Sequence, residues 1–267
     1  MKYIKESFGI VRHHFYIVII LFLYQLIWGF FLYRFIDAIV VPLLERYPDP
    51  NPTETSMQMF LIESQFQLMK TDIIDYYLWM LAGLFLIRML ITPFINAGLY
   101  YSIHHQDDKG LLFFKGMKYA WKPACLFYWL ENLLILAPAY WIIPYFYQEW
   151  RLYNLEQLGI ALLPIIFGWI VFAWIMHQLF LFMQFGQLSK AGIFRGLLLS
   201  LKNLPMILGI TLLLLAFLLV ISSIFTAAAW IWTGFIAIIL HQTYHLVRST
   251  VKVWGIAAQY RLWQSKC

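Results

Sequence analysis

The segment LFFKGMKYAWKPACLFYWLENLLILAPAYWII, residues 112–143, combines two patterns that decide the fold class. Its first eleven residues place lysines at spacings of three and four, so that on a helix they share one face, with large apolar residues opposite. These two sets are Lys115, Lys118 and Lys122, and Phe113, Met117 and Trp121. From Pro123 onward about twenty residues carry one charge, Glu131, which is the length of helix that crosses a hydrocarbon core. The pattern predicts an amphipathic helix in the headgroup layer that leads into a membrane span.

The composition of the whole chain agrees with this local pattern. Of the 267 residues, 63% are hydrophobic and 12% are charged, and the mean hydropathy is +0.73. A soluble domain carries about half apolar and about a quarter charged residues. Two cysteines, Cys125 and Cys267, form no disulfide framework and no metal or redox motif. The sequence therefore predicts a single all-α, polytopic membrane domain over residues 1–267.

Six apolar runs have the length of a membrane span. The first follows three basic residues and is too long for a signal peptide, so we interpret it as an uncleaved span. The six runs are about 15–36, 76–100, 123–143, 158–183, 205–226 and 229–247.

Basic residues outside these spans fall on one side of the predicted topology. Three precede the first span, four lie in 101–122, three in 184–204 and four after residue 247, whereas the other side holds only Arg46, Lys70 and Arg151. The positive-inside rule therefore places both termini in the cytoplasm. The net charge of +6 is interpreted as this topological signal and as attraction to anionic lipid headgroups, not as a nucleic-acid surface.

Two other stretches repeat the amphipathic pattern. IFRGLLLSLKN, residues 193–203, matches 112–122 at a glycine, two basic positions and a phenylalanine, eighty residues on. ESFGIVRHH, residues 6–14, is a third copy with Phe8, Gly9 and Arg12. We call 6–14, 112–122 and 193–203 the first, second and third amphipathic segments. They predict three repeats of segment plus helical hairpin, over about 1–100, 101–190 and 191–267. The predicted membrane-surface residues of the second and third segments are Lys115, Lys118, Lys122, Arg195 and Lys202.

With glycine-containing stretches such as FFKGMKYAWK and IFRGLLLSLK before its helix pairs, the chain resembles a group of six-helix bacterial integral membrane proteins of unknown function. That group includes the membrane domain found beside some glycerophosphodiester phosphodiesterases. The resemblance implies a bacterial plasma-membrane location and an accessory or scaffold role. It carries over no catalytic residue, since the acidic metal ligands of the phosphodiesterase domain have no counterpart here.

The first extracytoplasmic loop, about 42–75, is the longest. It opens with the proline-rich YPDPNPTE and continues with apolar residues spaced by three or four. This spacing predicts an amphipathic helix that lies on the outer surface or folds over the mouth of the bundle.

Charges inside predicted spans are costly, so they mark candidate sites. Arg88 in the second span and Glu131 in the third lie at matching depths, roughly 12 Å from the cytoplasmic side at 1.5 Å per residue. We expect them to form a buried polar pair. Its role is either structural, fixing the register of two helices, or functional, binding an anionic headgroup or carrying a proton.

Histidines supply the only metal-ligand pattern. HQTYH places His241 and His245 one helical turn apart in the sixth span, and His177 with Glu131 could complete a site. Histidines hydrogen-bonded within a helix bundle are the alternative. The motif HHQDDK, residues 104–109, also holds ligand types, but it reads as a solvated turn. The sequence predicts no cofactor.

Catalytic motifs such as GxSxG, a Walker loop or HExxH are absent from the sequence. Three hypotheses follow. The first is a non-catalytic accessory or scaffold for another membrane component or for lipid organisation. The second is a transporter of a small molecule or lipid with a polar centre at Arg88 and Glu131. The third is a metal-dependent intramembrane enzyme using His177, His241 and His245.

Overall fold

The computed structural model describes residues 2–45, 56, 59, 73–106, 110–152, 155–231 and 235–267. These residues are nearly all helical and contain no strand, in agreement with the predicted all-α class. Most of the predicted loop at 42–75 lies outside the described residues. The helices with described bounds are α1 Lys2–His13, α2 Phe15–Glu45, α3 Ile73–His104, α4 Leu112–Tyr119, α5 Trp121–Leu136, α6 Ala139–Leu152, α7 Leu155–Leu188, α8 Ile193–Lys202, α9 Leu204–Ile231 and α10 Phe235–Lys266.

Five helical segments among the described residues are long and apolar enough to cross a membrane. They are Phe15–Ala38, Tyr77–His104, Trp121–Tyr145, Leu162–Leu188 and Leu204–Ala228. The first five predicted spans therefore coincide with helices of the required length and composition. The sixth, about 229–247, overlaps residues outside the described part and the start of α10, where His241, Gln242, His245 and Arg248 lower the hydropathy.

The three amphipathic segments form the short helices α1, α4 and α8, and each is separated from the following long helix by a one-residue break. The second and third breaks have nearly the same backbone geometry, φ −105° and ψ 5° at Ala120 and φ −107° and ψ 16° at Asn203. Pro123 and Pro205 then fall within the first turn of α5 and α9. Proline is tolerated there because the first-turn N–H groups have no intrahelical partner.

Glycines bring α4 and α8 close to the helix that precedes each of them. A Cβ atom at Gly116 would lie 2.9 Å from Cγ of Tyr101 on α3. A Cβ atom at Gly196 would lie 2.9 Å from the carbonyl carbon of Phe182 on α7. At Gly9 of the first amphipathic segment, by contrast, a Cβ would meet nothing within 4 Å. The second and third segments therefore share a packing feature that the first lacks.

The chain divides into two compact units, and the larger contains Met1–Ile20 and Pro93–Cys267. Its core lies where the C-terminal ends of α3 and α7 meet α4, α8 and the second half of α10. The side chains with almost no exposure include Leu99, Ile103, Phe113, Phe182, Phe185, Tyr260 and Leu262. The Tyr260 ring contacts that of Phe185 with centroids 5.2 Å apart and stacks on Trp263 at 5.8 Å.

Helices α1 and α10 pack together in the larger unit. Trp254 donates its indole N–H to the carbonyl of Ile4 at 2.8 Å, and its ring meets Phe8 edge to face. Near the chain ends, the hydroxyl of Ser265 donates to that of Tyr3 at 3.1 Å. Helix α1 and the second half of α10 therefore form one packed structure.

The smaller unit, Leu21–Thr92, consists of most of α2 and α3 among the described residues. Its two helices are joined by a hydrogen bond of 2.8 Å between the hydroxyls of Tyr24 and Thr92 and by an edge-to-face contact of Phe35 with Tyr77. Thr92 also donates to the carbonyl of Arg88 one turn earlier.

Candidate functional site

Glu131 and His177 form a hydrogen-bonded pair between α5 and α7. The imidazole Nδ1 lies 2.7 Å from Oε1 of Glu131. Glu131 is buried, whereas about half of the His177 side chain is exposed. The pair spans adjacent antiparallel helices, and a bond from the Trp169 indole N–H to the carbonyl of Ile135, at 2.7 Å, joins the same helices farther along. A carboxylate and an imidazole in this geometry can share or exchange a proton.

Arg88, the partner predicted for Glu131, lies in the smaller unit and is exposed there, whereas Glu131 lies in the larger unit. The Arg88–Glu131 pair remains a prediction. The sequence indicates Glu131 and His177 as candidate site residues, but it does not predict a direct hydrogen bond between them.

His241 and His245 lie one turn apart on α10 as predicted, with their Nε2 atoms 3.2 Å apart. Among the described residues no group of three or more histidine, cysteine or acidic side chains could hold a metal ion. The structure therefore joins His177 to Glu131 and His241 to His245, but it does not assemble the three histidines. The metal hypothesis gains no support from this arrangement.

The predicted membrane-surface residues Lys115, Lys118, Lys122, Arg195 and Lys202 are all exposed. Lys122 lies over the Trp121 ring, 5.9 Å from its centroid. The guanidinium of Arg195 donates to the carbonyl of Cys267. On the apolar side of the second amphipathic segment, Phe113 is buried in the protein, whereas Trp121 is exposed.

In the motif HHQDDK, His104 ends α3, and His105 and Gln106 form a turn with partly exposed side chains. The phenol of Tyr260 lies 2.6 Å from Nδ1 of His104, and Arg261 donates to the side-chain carbonyl of Gln106 at 3.1 Å. Residues 107–109 lie outside the described part. No local pattern could reveal these contacts, because more than 150 residues separate the partners.

His14, in the break between α1 and α2, belongs to the same region. Burial, reinforced by the neighbouring His13, lowers the pKa of His14, while a hydrogen bond with the backbone of Gln106 opposes this shift. Its Nε2 is buried with no hydrogen-bond partner among the described atoms. The neutral imidazole is therefore the form that this site favours.

A partly open cavity of about 270 Å³ lies among α3, the junction of α4 with α5, and the C-terminal end of α7. Buried apolar residues such as Ala97, Ala124 and Phe127 form its inner wall. More exposed polar side chains form its rim, namely Tyr101, Tyr119, Gln184, Gln187 and Lys190. Sequence reasoning missed this cavity because its walls come from four separate helices.

Comparison of the chain with models of known protein families, with curated proteins and with solved structures gives no match. The resemblance to six-helix bacterial membrane proteins therefore remains a prediction.

Proposed function

We propose that the chain is a six-span membrane protein of the bacterial plasma membrane, with both termini in the cytoplasm, that acts as a non-catalytic scaffold for lipid or for another membrane component. The contact between Tyr3 and Ser265 supports an even number of crossings. Residues that touch lie on the same side of a membrane, and five crossings would put them on opposite sides. A sixth crossing by α10 restores the parity.

The predicted sixth span, about 229–247, has nearly the length needed for this crossing. Its nineteen residues would extend about 28 Å at 1.5 Å per residue, while the hydrocarbon core is about 30 Å thick. The first part of α10 would complete the sixth span with the residues before it. The second part, with buried Val253, Ala257 and Leu262, packs on α1. The fourteen basic residues on this side, against three on the other, support a cytoplasmic location.

The distribution of burial supports the scaffold role. Large apolar side chains in the middle of the spans are widely exposed, for example Phe85, Phe167 and Leu219. A membrane supplies lipid or a partner helix to cover such surfaces. The closely packed part of the larger unit lies instead at one end of its helices, where it presents basic residues to headgroups.

The native Cys267 provides a test of topology. It is exposed at the C-terminal end, whereas Cys125 is half-buried within α5. We expect a membrane-impermeant maleimide to label Cys267 in inverted vesicles and not in intact cells, with Cys267→Ser as the background control. Labelling of Cys267 from outside the cell would refute the topology.

A partner test addresses the scaffold role. Cross-linking in native membranes followed by purification should recover the same membrane partner or enriched lipid in independent preparations. The variants Lys115→Gln and Lys202→Gln, which alter the predicted membrane-surface residues, should reduce that recovery. A chain that purifies alone, with lipid of bulk composition, would contradict the proposal.

Transport is the second candidate function, because Glu131 and His177 form a polar centre within two candidate spans. Groups of this kind inside a bilayer often line a path for ions or protons. The measurement is the reactivity of His177→Cys, in a background lacking native cysteines, toward a small water-soluble thiol reagent. Rapid reaction would reveal a water path to the pair, and complete protection would eliminate the transport function.

A further inference from the structure

We propose that the cavity between α3, α5 and α7 binds the phosphate of an anionic headgroup, either of a membrane lipid or of a soluble phosphate ester. The inference deepens the proposed scaffold function by assigning the site at which the chain engages lipid. It draws on the lining, position, charge and backbone geometry of the cavity.

The position of the cavity corresponds to the headgroup layer. It lies at one end of three candidate spans: the C-terminal ends of Tyr77–His104 and Leu162–Leu188 and the start of Trp121–Tyr145. The lysine-bearing second amphipathic segment runs directly into it at Tyr119. A headgroup in this cavity would be at its ordinary depth, and its acyl chains could follow α5, where Leu126 and Leu130 are exposed.

The polar lining matches a phosphate. Lys190 supplies a positive charge, and no acidic residue lies among the lining residues. Gln184 and Gln187 lie three residues apart and both line the cavity at the end of α7. The side chains of these three residues make no hydrogen bond or ion pair with any other described residue. Their amide and ammonium N–H groups are therefore available to phosphate oxygens.

The nearest intramembrane acid does not compete for the cation. Glu131 lies one turn beyond Phe127 of the cavity wall, and its carboxylate is bonded to His177. Among the residues that line the cavity, Lys190 is the one that carries a charge. An anion is the ligand class that this arrangement favours.

The backbone at Lys190 is unusual. Its φ of 59° lies in the left-handed region that L side chains rarely adopt, and it is the one non-glycine residue with positive φ among those described. The turn is held by N–H bonds from Lys190 to the Gln187 carbonyl and from Gly192 to the Gly186 carbonyl, both 3.2 Å. Glycine would fit this position without strain, so a lysine here points to a role for its side chain.

The volume sets the size of the ligand. About 270 Å³ is just below the range of roughly 300–1,000 Å³ typical of ligand pockets. This suits a compact phosphate-bearing headgroup with its chains outside. Exposed phenols at the rim, such as Tyr119, can bond to headgroup hydroxyls.

The test is thermal unfolding of the purified full chain in detergent with and without ligand. A ligand that binds the folded state raises the midpoint temperature of unfolding. Three probes are titrated: phosphatidylglycerol, the net-neutral phosphatidylcholine, and glycerol phosphate as a soluble ester. For the wild type, phosphatidylglycerol should stabilise the protein and phosphatidylcholine should not. Lys190→Gln should weaken apparent phosphatidylglycerol binding about tenfold, the scale of a charged hydrogen bond.

The matched control is Lys5→Gln, which removes an equal charge from an exposed position of α1 outside the cavity. It should change apparent binding less than about twofold. Lys190→Gly separates binding from folding, because it relieves the backbone strain and should raise the unfolding midpoint without ligand while still weakening the response to lipid.

Equal apparent affinities of Lys190→Gln and Lys5→Gln for phosphatidylglycerol would overturn the proposal. Equal stabilisation of the wild type by phosphatidylglycerol and phosphatidylcholine would also overturn it. A shift with glycerol phosphate that depends on Lys190 would assign the site to a soluble ester, whereas a shift with lipid alone would assign it to the membrane. Both support the phosphate site. Binding in detergent does not depend on the orientation of the chain in a membrane. Labelling of Cys267 from outside the cell would therefore refute the proposed function without contradicting the phosphate site.

Discussion

Replacing the glycines of the three amphipathic segments by alanine separates two opposing effects. Inside a helix, alanine is favoured over glycine by up to about 1 kcal/mol. At Gly9 nothing within 4 Å opposes the new methyl group, so Gly9→Ala should raise the free energy of unfolding by roughly 0.5–1 kcal/mol. At Gly196 the methyl carbon would lie 2.9 Å from the carbonyl carbon of Phe182, and that backbone can move only if α7 and α8 separate.

Overpacking of this kind costs typically about 1–3 kcal/mol. After subtraction of the propensity gain, Gly196→Ala should lower the free energy of unfolding by up to about 2 kcal/mol. Gly116→Ala should behave similarly, because the new methyl group would lie 2.9 Å from Cγ of Tyr101 and 3.0 Å from the carbonyl oxygen of Ala97.

The assay is reversible unfolding of the purified variants in mixed micelles, followed by the helical circular dichroism signal. The expected order of stability is Gly9→Ala, then wild type, then Gly116→Ala and Gly196→Ala. If Gly196→Ala were as stable as Gly9→Ala, the close approach of α8 to α7 would be wrong, and with it the packing role assigned to the glycines.

Three other contacts have measurable consequences. Glu131→Gln and His177→Ala should each destabilise the chain by about 1–3 kcal/mol, and the double variant should lose less than the sum, whereas additive losses would show that the residues are uncoupled. Tyr260→Phe removes the hydrogen bond with His104 and the one accepted from Gln264 and should cost about 1–2 kcal/mol on chemical unfolding; an unchanged midpoint would count against both bonds. Because the pKa of His14 is lowered in the folded chain, unfolding free energy should fall as pH drops below about 6.5, and His14→Gln should reduce this slope.

Composition and periodicity predict the long helices well, since a run of about twenty apolar residues has few alternatives to a helix at this hydropathy. The predicted starts of the second to fourth apolar runs fall within a few residues of the candidate spans beginning at Tyr77, Trp121 and Leu162. Lys115 and Lys118 are exposed, while their contact with the membrane surface remains a prediction. The span predictions succeed because each depends only on local sequence.

Contacts between distant segments were not predictable in this way. The apolar side of the second amphipathic segment has the same periodicity whether it meets lipid or protein, so the sequence alone did not indicate that Phe113 would be buried against α3. His104 and Tyr260 are 156 residues apart, and a histidine beside acidic residues resembles a surface turn. The three repeats remain a prediction: Gly116 and Gly196 both lie close to the preceding helix, whereas the breaks at Ala120 and Asn203 are not at matched positions.

The contact of α1 with α10 constrains how the chain can be made. The bond between Ile4 and Trp254 joins residues 250 positions apart, so α1 cannot find this partner until the ribosome has passed residue 254. Val11 and Ile10 of α1 are buried in the folded protein. Until α10 is made, these side chains would be exposed while the spans insert one after another. Translation of the final helix is therefore the event that completes the first one, and nascent chains halted before it should be the preferred substrates of chaperones and membrane proteases.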